Sequence, residues 1–275
     1  MIKSITVLQL LFIFLFISSD AIALDDIILK GELTQGSLII GKAPIGSTVW
    51  LGEKPIPVTN KGEFVFGFGR DAALNQTLFW QLPNQNKNTM QIVLTERTYN
   101  TQKISGVPNK MVNPKKELSS RIRAENSLVK GARKQQSDLL FFLGPFKAPL
   151  EGEITGVYGS QRVFNGVPKR PHYGLDFAAP RGTVVFAPAS GKVTLTHDDM
   201  YYSGGTLIVD HGYGVSSTFI HLSDILVSDG QAVKVGDPIA RVGSGGRSTG
   251  PHLDWRVNWF NVRIDPQLVL NMSQP

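Results

Sequence analysis

The pattern of apolar and polar positions divides the chain into four stretches. The first is a nearly unbroken apolar run from Ile5 to Ile17, preceded by Lys3 and followed by Ala21-Ile22-Ala23. A positive start, an apolar centre and a small-x-small site are the layout of a secretory signal peptide at residues 1–23, with cleavage expected after Ala23. The run is too short and wrongly flanked for a spanning helix, and the rival reading is an uncleaved N-terminal anchor, since signal and anchor differ mainly in apolar length. From Ile27 to about Ile104 the pattern is one of short β runs, among them "SLIIGKA", "STVWLGEKPI", "EFVFGFG" and "MQIVLTERTY", broken by turn signals such as Asn60-Lys61-Gly62. Strands this closely spaced predict a small β-sandwich of immunoglobulin-like type over residues 24–104. The period then lengthens: Leu118, Ile122, Val129 and Ala132 recur at helical spacing. Asn113 and Pro114 read as the N-cap and first turn of one amphipathic helix inside a linker at 105–138. From Leu139 to Pro275 the β pattern returns, and the fold class predicted is mainly β.

Charge and composition add two constraints. The net charge is +6. Between Gln102 and Lys134, nine Lys or Arg residues face only Glu117 and Glu125, so this linker alone carries a net +7. Such a segment could approach an anionic wall polymer or lipid, or simply be a solvated face. Export argues against nucleic acid as a partner. The chain has 0 cysteines, which excludes disulfides and thiolate metal sites. Any metal must be held by His, Asp or Glu.

Three stretches of the last domain place such residues at strand ends. In "RPHYGLDFAAP", His172 and Asp176 are four apart, a spacing that puts both on one face of a strand, with Gly174 leaving room over the backbone. In "FIHLS", His221 lies in an apolar run where an unpaired imidazole is costly. In "GGRSTGPHLDWRVNWF", His252 and Asp254 are two apart and project side by side from a strand. A lone histidine on an apolar face is more often a satisfied core residue than a ligand. Three such stretches in one domain without cysteine favour a His/Asp metal centre.

These residues also resemble a family, the lysostaphin-like or LytM-type zinc endopeptidases that cut peptidoglycan peptides. The resemblance covers about Pro149 to Pro266, with "VYGSQR", "HYGLD", "GTVVFAPASGKV", "GGTLIVDHGYG", "FIHLS", "VKVGDPIARVGSGGRSTGPHLDW" and a final "DP" in the family's order. It implies an all-β LytM-type peptidase domain at 139–275 that holds one zinc ion. His172, Asp176 and Asp254 correspond to its metal positions, and His221 and His252 to its catalytic histidines. It further implies a periplasmic enzyme that hydrolyses peptidoglycan cross-links, with no stable membrane insertion once the signal is removed. Asp254 departs from the pattern, which has His there. One His with two Asp leaves the ion less net positive than two His with one Asp, which implies a weaker Lewis acid or a preference for another divalent ion. The same departure is what would mark the alternative, a degenerate LytM-type domain that binds and activates other wall hydrolases.

Other motifs yield less. "GRSTG" matches G-x-S-x-G, but Pro251 and an alternating β pattern follow where a nucleophile elbow needs a helix, so it reads as a Gly-rich hairpin connection. "GSGGRSTG" lacks the lysine of a phosphate loop. His197 beside Asp198 and Asp199 reads as a polar loop, and His211 as a structural residue in a hairpin turn. Trp255, Trp259 and Phe260 read as core or cleft wall. Arg256 faces the same side as His252 and Asp254, where it either orients a ligand carboxylate or pairs with Asp254.

Overall fold

The computed structural model describes residues 27–106 and 109–273, so the expected signal peptide and its cleavage site lie outside the described residues. No described helix is long and apolar enough to cross a membrane. The N-terminal region consists of β1 (Ile28–Lys30), β2 (Leu38–Lys42), β3 (Thr48–Leu51), β4 (Lys54–Ile56), β5 (Glu63–Gly67), β6 (Asn75–Gln81) and β7 (Asn88–Val93). They form two antiparallel sheets, ordered β1-β2-β5 and β4-β3-β6-β7. Ile39, Val49, Phe64, Phe66, Leu78 and Ile92 are buried in one continuous core with residues of the C-terminal region. The next strand, β8 (Thr101–Ile104), joins neither sheet and is discussed with its partner below.

The linker departs from the expected single helix. A short α1 (Asn109–Val112) is followed by a 3-10 turn at Lys116–Leu118 and then α2 (Ser119–Lys134). Asn113 caps nothing; its amide ends α1 on the Asn109 carbonyl at 2.8 Å. Pro114 disfavours helical backbone at the residue before it, and Lys115 is extended at φ −61, ψ 149, so no helix runs through this point. The predicted apolar stripe is real: Val129 and Ala132 pack on Leu195, Met200 and Ile208.

The C-terminal region begins with β9 (Ile154–Gly156), β10 (Gln161–Phe164), β11 (Val167–Pro168) and β12 (Leu175–Ala178). It continues with β13 (Val184–Phe186), β14 (Gly191–Met200), β15 (Gly204–Gly212), β16 (Val215–Ile225) and β17 (Ala232–Val233). It ends with β18 (Pro238–Val242), β19 (His252–Trp259), β20 (Val262–Ile264) and α3 (Pro266–Asn271). Ten of these strands form one sheet along the path β17-β14-β15-β16-β19-β12-β9. All nine residues of β15 are buried, because α2 covers Leu195 and Ile208 on one face while Leu207 and Val209 enter the main core on the other. A strand covered on both faces reads as a continuous apolar run. β8 pairs in parallel with β10, matching Thr101 to Gln161 and Ile104 to Phe164. Arg97 also reaches Asp265 at 2.9 Å, and Asp265 caps α3 by accepting from Gln267. The N-terminal region is thereby tied to the domain that follows it.

Two histidines set aside above are located here. His197 lies within β14 rather than in a loop, because the strand carries a bulge between His197 and Met200 and runs on to the turn. His211 lies within β15, one residue before its end, rather than in the turn; it is fully buried, with one ring nitrogen 2.8 Å from the Ser190 carbonyl and the other 2.8 Å from Ser217 Oγ. Burial pulls its pKa down to about 4 from 6.5, so the folded protein keeps it neutral. The unfolded chain gains a proton below pH 6.5 that the native state refuses, so this contribution is complete above 6.5 and lost as pH falls towards 4. Urea denaturation between these limits is expected to lose on the order of 3 kcal/mol from this group, and a His211→Gln variant is expected to show a visibly flatter profile.

Candidate metal centre and cleft

The site begins with strand register. β12 and β19 pair antiparallel with Asp176 directly opposite Asp254 and Ala178 opposite His252. β16 flanks β19 on its other side with Ile220 opposite Asp254, which brings His221 to the same end of the sheet. Two carboxylates facing each other across a strand pair repel, the more so when buried. Both are buried here, Asp254 at 1% exposure.

His172 completes the group from an unexpected place. It precedes β12, which starts at Leu175, so the shared-strand-face argument does not hold. A loop holds it instead: its amide donates to the Ser160 carbonyl and its carbonyl accepts from Gly159, both at 2.8 Å. Gly174 and Gly156 supply the space. A Cβ at Gly174 would collide with Asp254 Oδ1, and one at Gly156 with Asp176 Oδ2. One potential ligand atom each from His172, Asp176 and Asp254 falls within 4.8 Å of the others. His172 Nε2 lies 3.1 Å from Asp176 Oδ1 without the geometry of a hydrogen bond, and His172 Nδ1 has no hydrogen-bond partner among the described residues. Unpartnered buried donors and acceptors of this kind require an explanation. Three convergent N and O atoms, with glycines in place of side chains, suit a divalent cation.

Two arginines balance the carboxylates. Arg256 grips Asp254 with two bonds, Nε to Oδ1 at 2.9 Å and Nη2 to Oδ2 at 2.6 Å. Arg162 donates to Asp176 Oδ2 at 2.8 Å. Burial pushes the Asp254 carboxyl upward, but Arg256 and then His172 hold it well below the usual carboxylate range. Asp176 is raised by burial and by Asp254, yet His172 and Arg162 outweigh both and keep it below its ordinary value. Of the two roles open to Arg256, the structure has it paired with Asp254. The sequence reading missed Arg162, since nothing local in "GSQRVF" links it to a residue on another strand.

His221 and His252 stand together, ring centroids 4.8 Å apart. His221 Nδ1 is 2.7 Å from the Gly245 carbonyl and His252 Nδ1 is 2.9 Å from that of Gly250. A carbonyl only accepts, so each Nδ1 carries the proton and each Nε2 is left with a lone pair. Burial pulls His221 down to about 4, against the upward pull of Asp254. His221 also sits at φ 65, a left-handed backbone that costs on the order of 1 kcal/mol and marks a position held by its surroundings. Both rings border a cleft of about 300 Å³ shared with Asp176, Arg162 and the β8 residues Gln102 and Ile104. The "GRSTG" loop joins β18 to β19 and closes on a Gly243–His252 bridge. A strand follows it, and Ser248 Oγ hydrogen-bonds to the Gly250 carbonyl, so the geometry is not that of a nucleophile elbow.

If Arg256 is what balances Asp254, removing it strands a buried charge. Arg256→Leu in metal-free protein is expected to lower unfolding free energy by about 3 kcal/mol, measured by urea denaturation in chelator. A loss under about 1 kcal/mol would mean that another group carries the Asp254 charge.

Comparison with known proteins finds relatives for the segment that carries this geometry. Residues 170–266 match the profile described as Peptidase family M23. The chain is 41% identical over 95 residues to peptidoglycan DD-endopeptidase ShyB of Vibrio cholerae serotype O1, covering 34% of this chain and 22% of that protein. It is 43% identical over 97 residues to DD-carboxypeptidase/endopeptidase Mpg of Neisseria meningitidis serogroup B, covering 35% and 22%. The matched segment thus spans about a fifth of the length of these relatives. Among solved structures, a putative peptidase M23 from Pseudomonas aeruginosa aligns with a TM-score of 0.69 at 28% identity, over 88% of this chain and 96% of that one. The fold is mainly β and of LytM peptidase type, and residues 170–266 carry the match to peptidase family M23.

Proposed function

We propose that the chain is an exported, zinc-dependent endopeptidase that hydrolyses peptide cross-links of peptidoglycan. In this reading residues 1–23 direct export to the periplasm, 24–104 form a β module, 105–138 a basic linker, and 139–275 the peptidase domain. The observation that carries it is the convergence of one ligand atom each from His172, Asp176 and Asp254 within 4.8 Å, next to two imidazoles whose Nδ1 atoms are taken up by carbonyls. His172, Asp176 and Asp254 would hold the ion, which when bound supplies Lewis acidity towards the scissile carbonyl.

The remaining chemistry belongs to the chain. His221 and His252 hold their protons on Nδ1, so each Nε2 can accept one. The depressed pKa of His221 keeps it unprotonated at neutral pH, the state a general base needs. One ring takes the proton of the attacking water, and the other stabilises the developing oxyanion or passes a proton to the leaving amine. Arg256 also addresses the departure at Asp254. An aspartate bound by a guanidinium is close to net neutral, as an imidazole is, so the pair offsets the loss of Lewis acidity expected of a second carboxylate.

The test is release of soluble muropeptides from purified sacculi, identified by mass, by protein stripped of metal and then reloaded with zinc. Zinc-dependent release of cross-link fragments is expected; no release with any divalent ion would sink the proposal in favour of the activator alternative. Asp254→Ala is expected to lose both zinc and turnover. His252→Ala is expected to keep zinc, by elemental analysis, while turnover drops on the order of 10²- to 10⁴-fold. Zinc loss in the His252 variant would refute the division of roles.

A further inference from the structure

A second cavity of about 480 Å³ adjoins the cleft, and its walls carry Arg162, Arg170, Arg247, Arg256 and Arg263. Arg162 and Arg247 belong to both cavities, so they form the partition between them. Arg162 and Arg256 already serve Asp176 and Asp254. Arg170, Arg247 and Arg263 have no carboxylate partner among the described residues.

Two of these three cations are also held in position. Arg247 lies 4.8 Å from both the Phe164 and the Tyr202 rings, and Arg263 donates to Asn258 Oδ1 at 3.3 Å. Behind the cavity, α2 buries Arg133, whose Nη2 donates to Thr218 while its Nε has no partner. Burial first, and then neighbouring arginines, depress Arg133 and Arg263, the latter to about 10. Mutual repulsion among cations fixed around an open space is a standing electrostatic deficit. An oxyanion in that space relieves it, and guanidinium forks suit a carboxylate in particular. Asn126 of α2 and Asn261 add neutral donors at the rim.

We propose that this cavity is a carboxylate-recognition site, which receives a free carboxylate of the peptide whose scissile amide lies across the Arg162–Arg247 partition. This rests on the peptidase reading and narrows its substrates to peptides with a free carboxylate close to the bond that is cut. The same site would take a free oxyanion such as phosphate if no substrate role existed, and the experiment separates the two.

The purified chain, stripped of metal so that no ion can bind the probe, is titrated calorimetrically with N-acetyl-D-alanyl-D-alanine, with its C-terminal amide and with inorganic phosphate. The free acid is expected to bind, and the amide to bind about tenfold more weakly, the value of one charge-assisted contact. Arg170→Gln and Arg263→Gln, each checked by circular dichroism, are each expected to weaken the acid by about tenfold and leave the amide unchanged. Equal binding of acid and amide, no binding of either, or no effect of both variants overturns the proposal. So does phosphate that binds more tightly than the dipeptide, which would make the cavity a free-oxyanion site. Zinc uptake is measured in parallel. Failure to take up zinc with acid-over-amide preference intact would remove the peptidase reading and leave the cavity's chemistry standing, whereas normal uptake without that preference would do the reverse.

Discussion

Two carboxylates lie face to face on neighbouring strands in the middle of a sheet, and much of the domain is arranged around that fact. The β12–β19 register sets Asp176 opposite Asp254, an arrangement that repels in any medium and most strongly out of water. Each feature nearby answers it. Gly156 and Gly174 leave space for the oxygens, Arg162 and Arg256 neutralise one carboxylate each, and the His172 ring stands between them, Nε2 3.1 Å from Asp176 and Nδ1 3.9 Å from Asp254. A cation between the carboxylates would turn the repulsion into a reason for the register. In the M23 reading that cation is the cofactor, and the strained, neutral His221 stands one residue past the cross-strand partner of Asp254.

The parts that precede the C-terminal β region reach the site through backbone pairing and packing. β8, the last strand before the linker, pairs with β10, and β10 carries Arg162. The position of the guanidinium on Asp176 therefore depends on a strand from the preceding region. Gln102 and Ile104 of the same strand border the cleft directly. The linker helix contributes from the other side: its apolar stripe lies on the β14–β15 hairpin, Asn126 lines the arginine cavity, and Arg133 is buried on Thr218. Part of the excess positive charge of the linker is thus buried or paired structure, Arg133 on Thr218 and Arg121 on Glu125 and Asp199.

What was legible in the sequence is the chemistry of residues; what was not is their placement by distant partners. His172, Asp176, His221, His252 and Asp254 could be singled out because polar residues stand out in apolar β runs, and they converge in space. His172 was misplaced because a four-residue spacing describes one strand, and this one begins only at Leu175. The helix start was misread because Asn113-Pro114 looks like a cap locally, while Pro114 and the extended Lys115 interrupt the helix until Ser119. Arg162, Arg247 and Arg263 carry no local signal. They meet because the fold brings the segment of Arg162 to those of Arg247 and Arg263, 85 and 101 residues further on, which no periodicity encodes.

In the proposed reading the facing carboxylates and His172 hold a metal ion. Diffraction from zinc-soaked crystals, recorded above and below the zinc absorption edge, tests it directly. The account predicts one strong anomalous peak within bonding distance of His172, Asp176 and Asp254, with Arg256 still paired to Asp254. A gap with no peak, or zinc bound only elsewhere, would contradict the account and leave the two arginines as the whole answer to the facing charges.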